Sequence, residues 1–297
     1  MGFRSKIIGI FLLILPGLVM VPATAGVALI SVKDDTGFSV KMARPPRRIV
    51  SLAPNMTEIL YGLGLGDRVV GVTDSCDYPP EAKEKPKVGG IQIDNERILM
   101  LRPDLVVAHA GLQRQTIDRL RRMGLPVIAL DPKDWHSLLR TMEKLGVVTG
   151  TKAQAEHLVR EMEARRQRVA ATVAGNRRVR VFVEVWNKPL MTAGPGTFLD
   201  EMVSMAGGAN IAADVTTPWS VYPEEKVLLR DPEVIILTCK NKQEVLQRRA
   251  WQRITAVRGG WVYEVNPDIY SRPGPRLVEA LEDLVSLLAS ARGEDHH

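Results

Sequence analysis

The sequence predicts an α/β protein of two lobes, each built on a central, mainly parallel sheet, with one long α-helix joining them. Short apolar strands alternate with helical patterns before and after a central stretch, which gives two similar halves. The central stretch, residues 151–173, has apolar residues at helical spacing and contains neither Gly nor Pro. Continuously apolar strands in strand-helix-strand order favour parallel pairing with right-handed crossovers.

The N-terminus has the pattern of an export signal. Arg4 and Lys6 precede an apolar run over residues 7–21, and Ala23-Thr24-Ala25 provides a small-x-small cleavage site. A run of about fifteen residues is shorter than the roughly 20 that a membrane-spanning helix needs. No Cys stands near the cleavage site, which disfavours a lipid anchor. We expect residues 1–25 to be a signal peptide that is cleaved near Ala25.

Charge and cysteine content limit the classes of function. Loss of Arg4 and Lys6 lowers the net charge from +6 to +4, and the basic residues alternate with acidic ones, so we expect no nucleic-acid partner. Cys76 and Cys239 fall in different predicted lobes. Because a disulfide between them would lock the lobes together, we expect two free thiols.

The N-terminal lobe is predicted over residues 26–150. It begins with a hairpin whose turn is at residues 33–37, between Val27–Val32 and Phe38–Met42. The predicted strands are Ile49–Leu52, Val69–Val72, Leu105–Ala108 and Val127–Leu130, and the predicted helices are Thr57–Leu63 and Gln113–Met123. Asn55 is a plausible N-cap of the first helix.

The linking helix is predicted within residues 151–175 and the C-terminal lobe within residues 176–297. The predicted strands of this lobe are Val179–Val185, Val234–Leu237 and Val262–Val265, and its predicted helices are Phe198–Met205 and Pro275–Leu288.

Several motifs in a fixed order resemble the helical-backbone class of periplasmic binding proteins. In the first half these are residues 48–58 with Gly62-Leu63-Gly64, Asp77-Tyr78-Pro79-Pro80, Glu96-Arg97-Ile98 and residues 101–106. In the second half they are Pro218-Trp219, Glu225-Lys226-Val227-Leu228, Asp231-Pro232 and residues 272–276. The resemblance extends from residue 48 to residue 288. It implies the periplasmic component of an ABC importer, with cobalamin, haem or a ferric siderophore bound in a cleft between the lobes.

The Asp-Tyr-Pro-Pro and Pro-Trp motifs are most similar to the cobalamin branch, so the expected ligand is a corrinoid and the alternatives are haem and ferric siderophores. The cobalamin branch often carries an aromatic residue just before its Glu-Arg-Ile motif, where this chain has Gly89-Gly90-Ile91-Gln92. A corrinoid precursor or another chelate therefore stays open as the ligand. No intrinsic cofactor is predicted.

The expected cleft lies beyond the carboxyl ends of the parallel strands, where open α/β sheets bind ligands. A corrin is a wide, mostly apolar disc fringed with amides, so it needs flat aromatic walls and a few polar groups. The candidate ligand-binding residues are Tyr78, Trp219, Tyr270 and Trp186 as walls, Asp268 and Arg272 as polar contacts, and Asn55, Met56 and His109.

Each candidate has a structural alternative. The alternative for Trp186 and Trp219 is packing against the core, and the alternative for Tyr78 is a turn tyrosine. Asp268 and Arg272 could form only a surface ion pair with each other. His109 is a candidate axial ligand of a cobalt or iron centre, although a hydrogen-bonded wall histidine is the more usual role.

The resemblance implies docking to a membrane permease through one glutamate on each lobe, and the matching positions are Glu96 and Glu225. Each begins a helical pattern, where a carboxylate also complements the helix dipole. We expect the binding protein itself to be a monomer.

An enzyme is the competing class of function. The sequence contains no Gly-x-Ser-x-Gly, His-Glu-x-x-His or Walker motif. Glu58 and Glu184 could be interpreted as paired carboxylates, but Glu58 is predicted in the first turn of a helix, where it complements the dipole. No catalytic residue is therefore predicted.

Overall fold

The computed structural model describes residue 2 and residues 29–293, so the predicted signal peptide lies outside the described residues, apart from residue 2. The chain enters through an antiparallel hairpin, β1 (Ile30–Lys33) and β2 (Ser39–Met42), as predicted. Its turn is closed by Asp34, whose carboxylate accepts hydrogen bonds from the backbone amides of Thr36 and Phe38. The same carboxylate pairs with Arg121, which fixes the hairpin to the N-terminal lobe.

The first lobe contains a four-stranded parallel sheet in the order β4-β3-β5-β6. Its strands are β3 (Ile49–Ser51), β4 (Val69–Val72), β5 (Leu105–His109) and β6 (Val127–Leu130). Its helices are α1 (Pro54–Gly62), α2 (Pro80–Lys83), α3 (Asn95–Met100), α4 (Arg114–Arg122) and α5 (Trp135–Thr149). The four predicted strands and their parallel arrangement are confirmed.

The second lobe contains a six-stranded mixed sheet in the order β10-β8-β7-β11-β12, with β9 also pairing with β7. Its strands are β7 (Val179–Asn187), β8 (Leu190–Ala193), β9 (Gly208–Asn210), β10 (Trp219–Val221), β11 (Val234–Leu237) and β12 (Val262–Glu264). Its helices are α7 (Phe198–Met205), α8 (Glu224–Arg230), α9 (Lys242–Gln247), α10 (Thr255–Arg258), α11 (Pro267–Tyr270) and α12 (Leu277–Arg292). The antiparallel strands β8 and β10 were not predicted, because they are short and lack the continuous apolar pattern of the parallel strands.

One helix, α6 (Lys152–Val173), joins the two lobes without interruption, as predicted. Its buried side chains belong to a continuous core that also contains residues of both lobes. Across this junction the backbone amide of Trp135 donates to Glu201 at 2.8 Å, and the Trp135 indole donates to Glu163 of α6 at 3.0 Å. The lobes are therefore packed on a common support. Within residues 29–293, no helix has the length and hydropathy needed to cross a membrane.

The start of α1 differs from the prediction. Pro54 occupies the first turn and Ala53 is the N-cap residue, with no side-chain capping bond, so Asn55 does not cap the helix. Because the helix begins at Pro54, Glu58 lies beyond its first turn and does not complement the N-terminal dipole. The prediction for Glu58 was wrong, and its carboxylate has another partner.

Candidate functional site

A cluster of charged side chains joins the lobes beside α1. Glu58 of the first lobe accepts two hydrogen bonds from Arg276 of the second, at 3.0 Å from Nε and 2.6 Å from Nη2. Both side chains are largely buried, at 2% exposed for Glu58 and 13% for Arg276. Burial raises the pKa of Glu58, while the Arg276 and Arg272 guanidiniums oppose that rise. This paired and bidentate geometry makes Glu58 a structural link between lobes.

Arg272 forms a second link between the lobes. Its Nη1 lies 2.5 Å from Oδ1 of Asp77, which follows β4 in the first lobe. Its Nη2 lies 2.7 Å from Oδ1 of Asp268, which follows β12 in the second lobe. The hydrogen bond from Arg272 lowers the pKa of Asp77, so this carboxylate is held in its charged form. The predicted pair of Asp268 and Arg272 is present, and it extends to the opposite lobe.

The other predicted residues of α1 do not offer a binding surface. Met56 is fully buried in the core, so the prediction that it contacts the ligand was wrong. Asn55 is also buried, and its Nδ2 lies 3.4 Å from the carbonyl oxygen of Pro273 in the second lobe. Asn55 therefore contributes to the junction between the lobes.

Two tryptophans share one face of the antiparallel part of the second sheet. Trp186 of β7 pairs with Met191 of β8, and Trp219 of β10 pairs with Ala193 of β8. Cross-strand partners point to the same face of a sheet, and so do residues two apart in one strand. Met191 and Ala193 are two apart in β8, so their partners Trp186 and Trp219 lie on the same face. Trp186 is 56% exposed and Trp219 is 53% exposed. The Trp186 indole N–H donates to the carbonyl oxygen of Lys188 at 2.9 Å, but about half of each tryptophan is exposed to solvent, so neither is a core residue.

Tyr78 borders a separate cavity of about 670 Å³ between α1, α6 and α12. One face of its ring is covered by the Arg276 guanidinium, 3.7 Å from the ring centroid, and the side chain stays 41% exposed. The other predicted wall residues do not line this cavity. The structure therefore places Tyr78 beside the Glu58–Arg276 pair.

Tyr270 does not form a wall of any cleft. It is buried in the core, and its hydroxyl donates to Asp283 of α12 at 2.5 Å. Burial, strengthened by the nearby Asp283 carboxylate, raises the Tyr270 pKa far above its usual range. The prediction was wrong because α11 turns the tyrosine inward against α12, while Asp268 in the same turn remains exposed.

His109 ends β5 and lies beside Asp131, which follows β6. Its Nε2 is 3.6 Å from Asp131 Oδ1, and its Nδ1 accepts a hydrogen bond from the Gly111 amide at 3.2 Å. Burial lowers the His109 pKa, which favours the neutral imidazole. Both ring nitrogens thus have protein neighbours, the geometry of a hydrogen-bonded wall histidine.

Glu58 and Glu184 do not form a pair of catalytic carboxylates. Glu184 is fully buried in the second sheet, where it pairs with Arg248 at 2.8 Å and accepts from Asn241 at 2.5 Å. Its partners all belong to the second lobe, whereas Glu58 lies in the first. Each carboxylate is neutralised by its own arginine.

The two proposed docking glutamates occupy equivalent places in their lobes. Glu96 lies in the first turn of α3 and Glu225 in the first turn of α8, and both side chains are exposed. Each helix is followed by a residue with a left-handed backbone, Arg102 at φ 46° and Asp231 at φ 41°, then by a proline and a parallel strand. The lobes therefore present the two carboxylates in the same local setting.

Cys76 is buried, Cys239 is partly buried, and both are free. Asp77 and Arg276 belong to motifs in the sequence for which no role was predicted, and the role predicted for Glu58 was wrong. The available signal was the pair of arginines, Arg272 and Arg276, that follows the last strand and requires acidic partners. No sequence pattern near these arginines identified their acidic partners, which lie far away in the chain.

Comparison with known proteins agrees with this architecture. A family profile described as periplasmic binding protein matches residues 49–269. An uncharacterized ABC transporter substrate-binding lipoprotein, YvrC of Bacillus subtilis (strain 168), is 34% identical over 264 residues, which cover 86% of this chain and 84% of the relative.

Two solved structures are similar along most of their length. The periplasmic vitamin B12 binding protein BtuF of Vibrio cholerae has a TM-score of 0.75 and 33% identity, with 84% of this chain and 98% of that chain covered. The periplasmic heme-binding protein RhuT from Roseiflexus sp. RS-1, in apo form, has a TM-score of 0.74 and 27% identity, with 82% and 98% covered.

Proposed function

Because the chain belongs to the periplasmic binding protein family, we propose that it captures a corrinoid and delivers it to the membrane permease of an ABC importer. The observation that carries the choice of ligand is the face bearing Trp186 and Trp219, two half-exposed indoles on one side of one sheet. Exposed apolar side chains that lie together on one face often mark a binding surface, whereas single ones are common on any protein. A wide, mostly apolar macrocycle matches that surface.

The polar cluster of Asp77, Asp268 and Arg272 supports the same ligand. Both of its carboxylates are partly exposed and can accept hydrogen bonds, which suits the amide N–H donors at the rim of a corrin. The similarity to a vitamin B12 binding protein at 33% identity agrees with this choice. Haem is the second candidate, because RhuT is similar at 27% identity.

Calorimetric titration of the purified mature protein with cyanocobalamin, cobinamide and haem tests the ligand. We expect one-to-one binding of a corrinoid. Trp219→Ala should weaken it by about 1 to 3 kcal/mol, the scale of one aromatic contact. Leu229→Ala removes an exposed apolar side chain from α8, 84% exposed against 53% for Trp219, and should leave affinity unchanged. Tight haem binding without any corrinoid binding would replace the corrinoid with haem.

Delivery requires docking to the permease, which we assign to Glu96 and Glu225. Two exposed carboxylates in equivalent settings fit a partner that offers two equivalent cationic sites, and arginine would bind each in a bidentate manner. The protein then acts by stoichiometric binding, without catalysis. Release of a chemically altered corrinoid after incubation would instead indicate an enzyme.

Export is the remaining part of the proposal. We infer that the chain is secreted to the periplasm after cleavage near Ala25, on the pattern of residues 1–25. Mass spectrometry of the protein isolated from the periplasm measures this directly, and a mass that retains residues 1–25 would contradict it.

A further inference from the structure

We propose that Asp77 is a specificity-determining residue. With Asp268 it forms a pair of carboxylates, one on each lobe, that Arg272 holds in place and that selects ligands with N–H donors over ligands with carboxylates. This inference rests on the proposed corrinoid-binding function, and it specifies which chemical groups the ligand carries at its rim.

The geometry leaves both carboxylates available to a ligand. Arg272 contacts Oδ1 of Asp77 and Oδ1 of Asp268, and its own side chain is only 18% exposed. Asp77 remains 42% exposed and Asp268 43% exposed, so a second oxygen of each can accept from solvent or a ligand. The Arg272 guanidinium therefore holds two acceptors, Asp77 and Asp268, in place, and it is not available to the ligand as a free cation.

The charge of the cluster opposes anionic ligands. Three carboxylates, Glu58, Asp77 and Asp268, face two guanidiniums, Arg272 and Arg276. The more distant Lys83 and Glu279 carry opposite charges that cancel, so one excess negative charge is left. Arg276 uses two nitrogens on Glu58 and covers the ring of Tyr78. A carboxylate on the ligand would have to displace one of these acids, whereas an amide N–H adds a hydrogen bond without displacing any.

The position of Asp77 makes this selection act across the cleft. Asp77 follows β4 in the first lobe, and Asp268 follows β12 in the second, so a ligand that bridges them contacts both lobes. Asp268 alone would offer one acceptor on one lobe.

The experiment compares two probes that share one ring. Cobinamide carries amides at the rim, and cobyrinic acid carries carboxylates in their place. Dissociation constants for both are measured by titration for the wild type, Asp77→Asn and Asp77→Glu. Glu282→Gln serves as the matched control, because Glu282 is a similarly exposed carboxylate that also pairs with an arginine, Arg165.

In the wild type we expect cobinamide to bind more tightly than cobyrinic acid. Asp77→Asn should reduce that preference by about tenfold, since it removes one negative charge, while Asp77→Glu and Glu282→Gln should preserve it. An unchanged preference in Asp77→Asn, or an equal loss of affinity for both probes, would show that Asp77 only braces Arg272 and would overturn the inference. If the wild type binds neither probe but binds haem, the proposed corrinoid function itself fails.

Discussion

The link between Glu58 and Arg276 should contribute measurably to folding stability. Arg276→Met removes the guanidinium but keeps an apolar chain, and it leaves the Glu58 carboxylate 2% exposed with Arg272 at 3.8 Å as the nearest remaining cation. Losing one partner of a buried pair typically costs about 3 to 5 kcal/mol. Glu58 can escape part of that cost by taking up a proton.

Protonation of Glu58 sets an upper limit on the stability that Arg276→Met can lose, and this limit depends on pH. A glutamate with an ordinary pKa of about 4.3 can be neutralised at pH 7 for about 3.7 kcal/mol, and at pH 5 for about 1 kcal/mol. We therefore expect Arg276→Met to lower the free energy of unfolding by about 3 kcal/mol at pH 7, and by clearly less at pH 5. Glu58→Gln, which leaves Arg276 unpaired, should cost a similar amount at pH 7 and show a weaker dependence on pH.

A double-mutant cycle with urea unfolding measures the coupling. Glu58→Gln with Arg276→Met should be no less stable than either single variant, giving a coupling energy of about 2 to 3 kcal/mol. The exposed pair of Lys152 and Glu156, 3.6 Å apart, is the control, with an expected coupling below about 0.5 kcal/mol. A coupling energy for Glu58 and Arg276 as small as that of the control pair would show that burial does not strengthen their interaction.

Three further predictions concern function. Glu96→Ala with Glu225→Ala should leave corrinoid affinity in titration unchanged but abolish uptake in cells, and normal uptake in the double variant would exclude these residues from docking. Ligand should change the radius of gyration in small-angle scattering only slightly, because α6 is unbroken and both lobes share its core, whereas a large decrease would indicate hinge closure. Corrinoid affinity should be constant from pH 8 to pH 5 and fall only below about pH 4, near the ordinary pKa of an aspartate. Arg272 lowers the pKa of Asp77, so the charged carboxylate persists at pH values below that ordinary pKa and is lost only as the pH falls through the lowered pKa. A decline of affinity already at pH 6 would contradict this assignment.

Local sequence patterns predicted the parallel strands, the linking helix and the matching positions of Glu96 and Glu225, the two proposed docking glutamates. These features depend on local signals: continuous apolar strands, an uninterrupted helical period over residues 152–173, and a repeated pattern in which a glutamate begins a helix before a proline and a strand. The same local signals could not indicate the inward turn of Tyr270, because its burial depends on packing against α12.

The pairing of charges across the lobes depends on the tertiary structure. Arg272 and Asp77 are 195 positions apart in the chain, and Arg276 and Glu58 are 218 apart. Partner choice at such separations is set by how the two lobes pack on each other, and no local propensity encodes it. The tryptophan face depended in the same way on β8 and β10, whose pairing puts Trp186 and Trp219 on one side although neither strand has a strong pattern of its own.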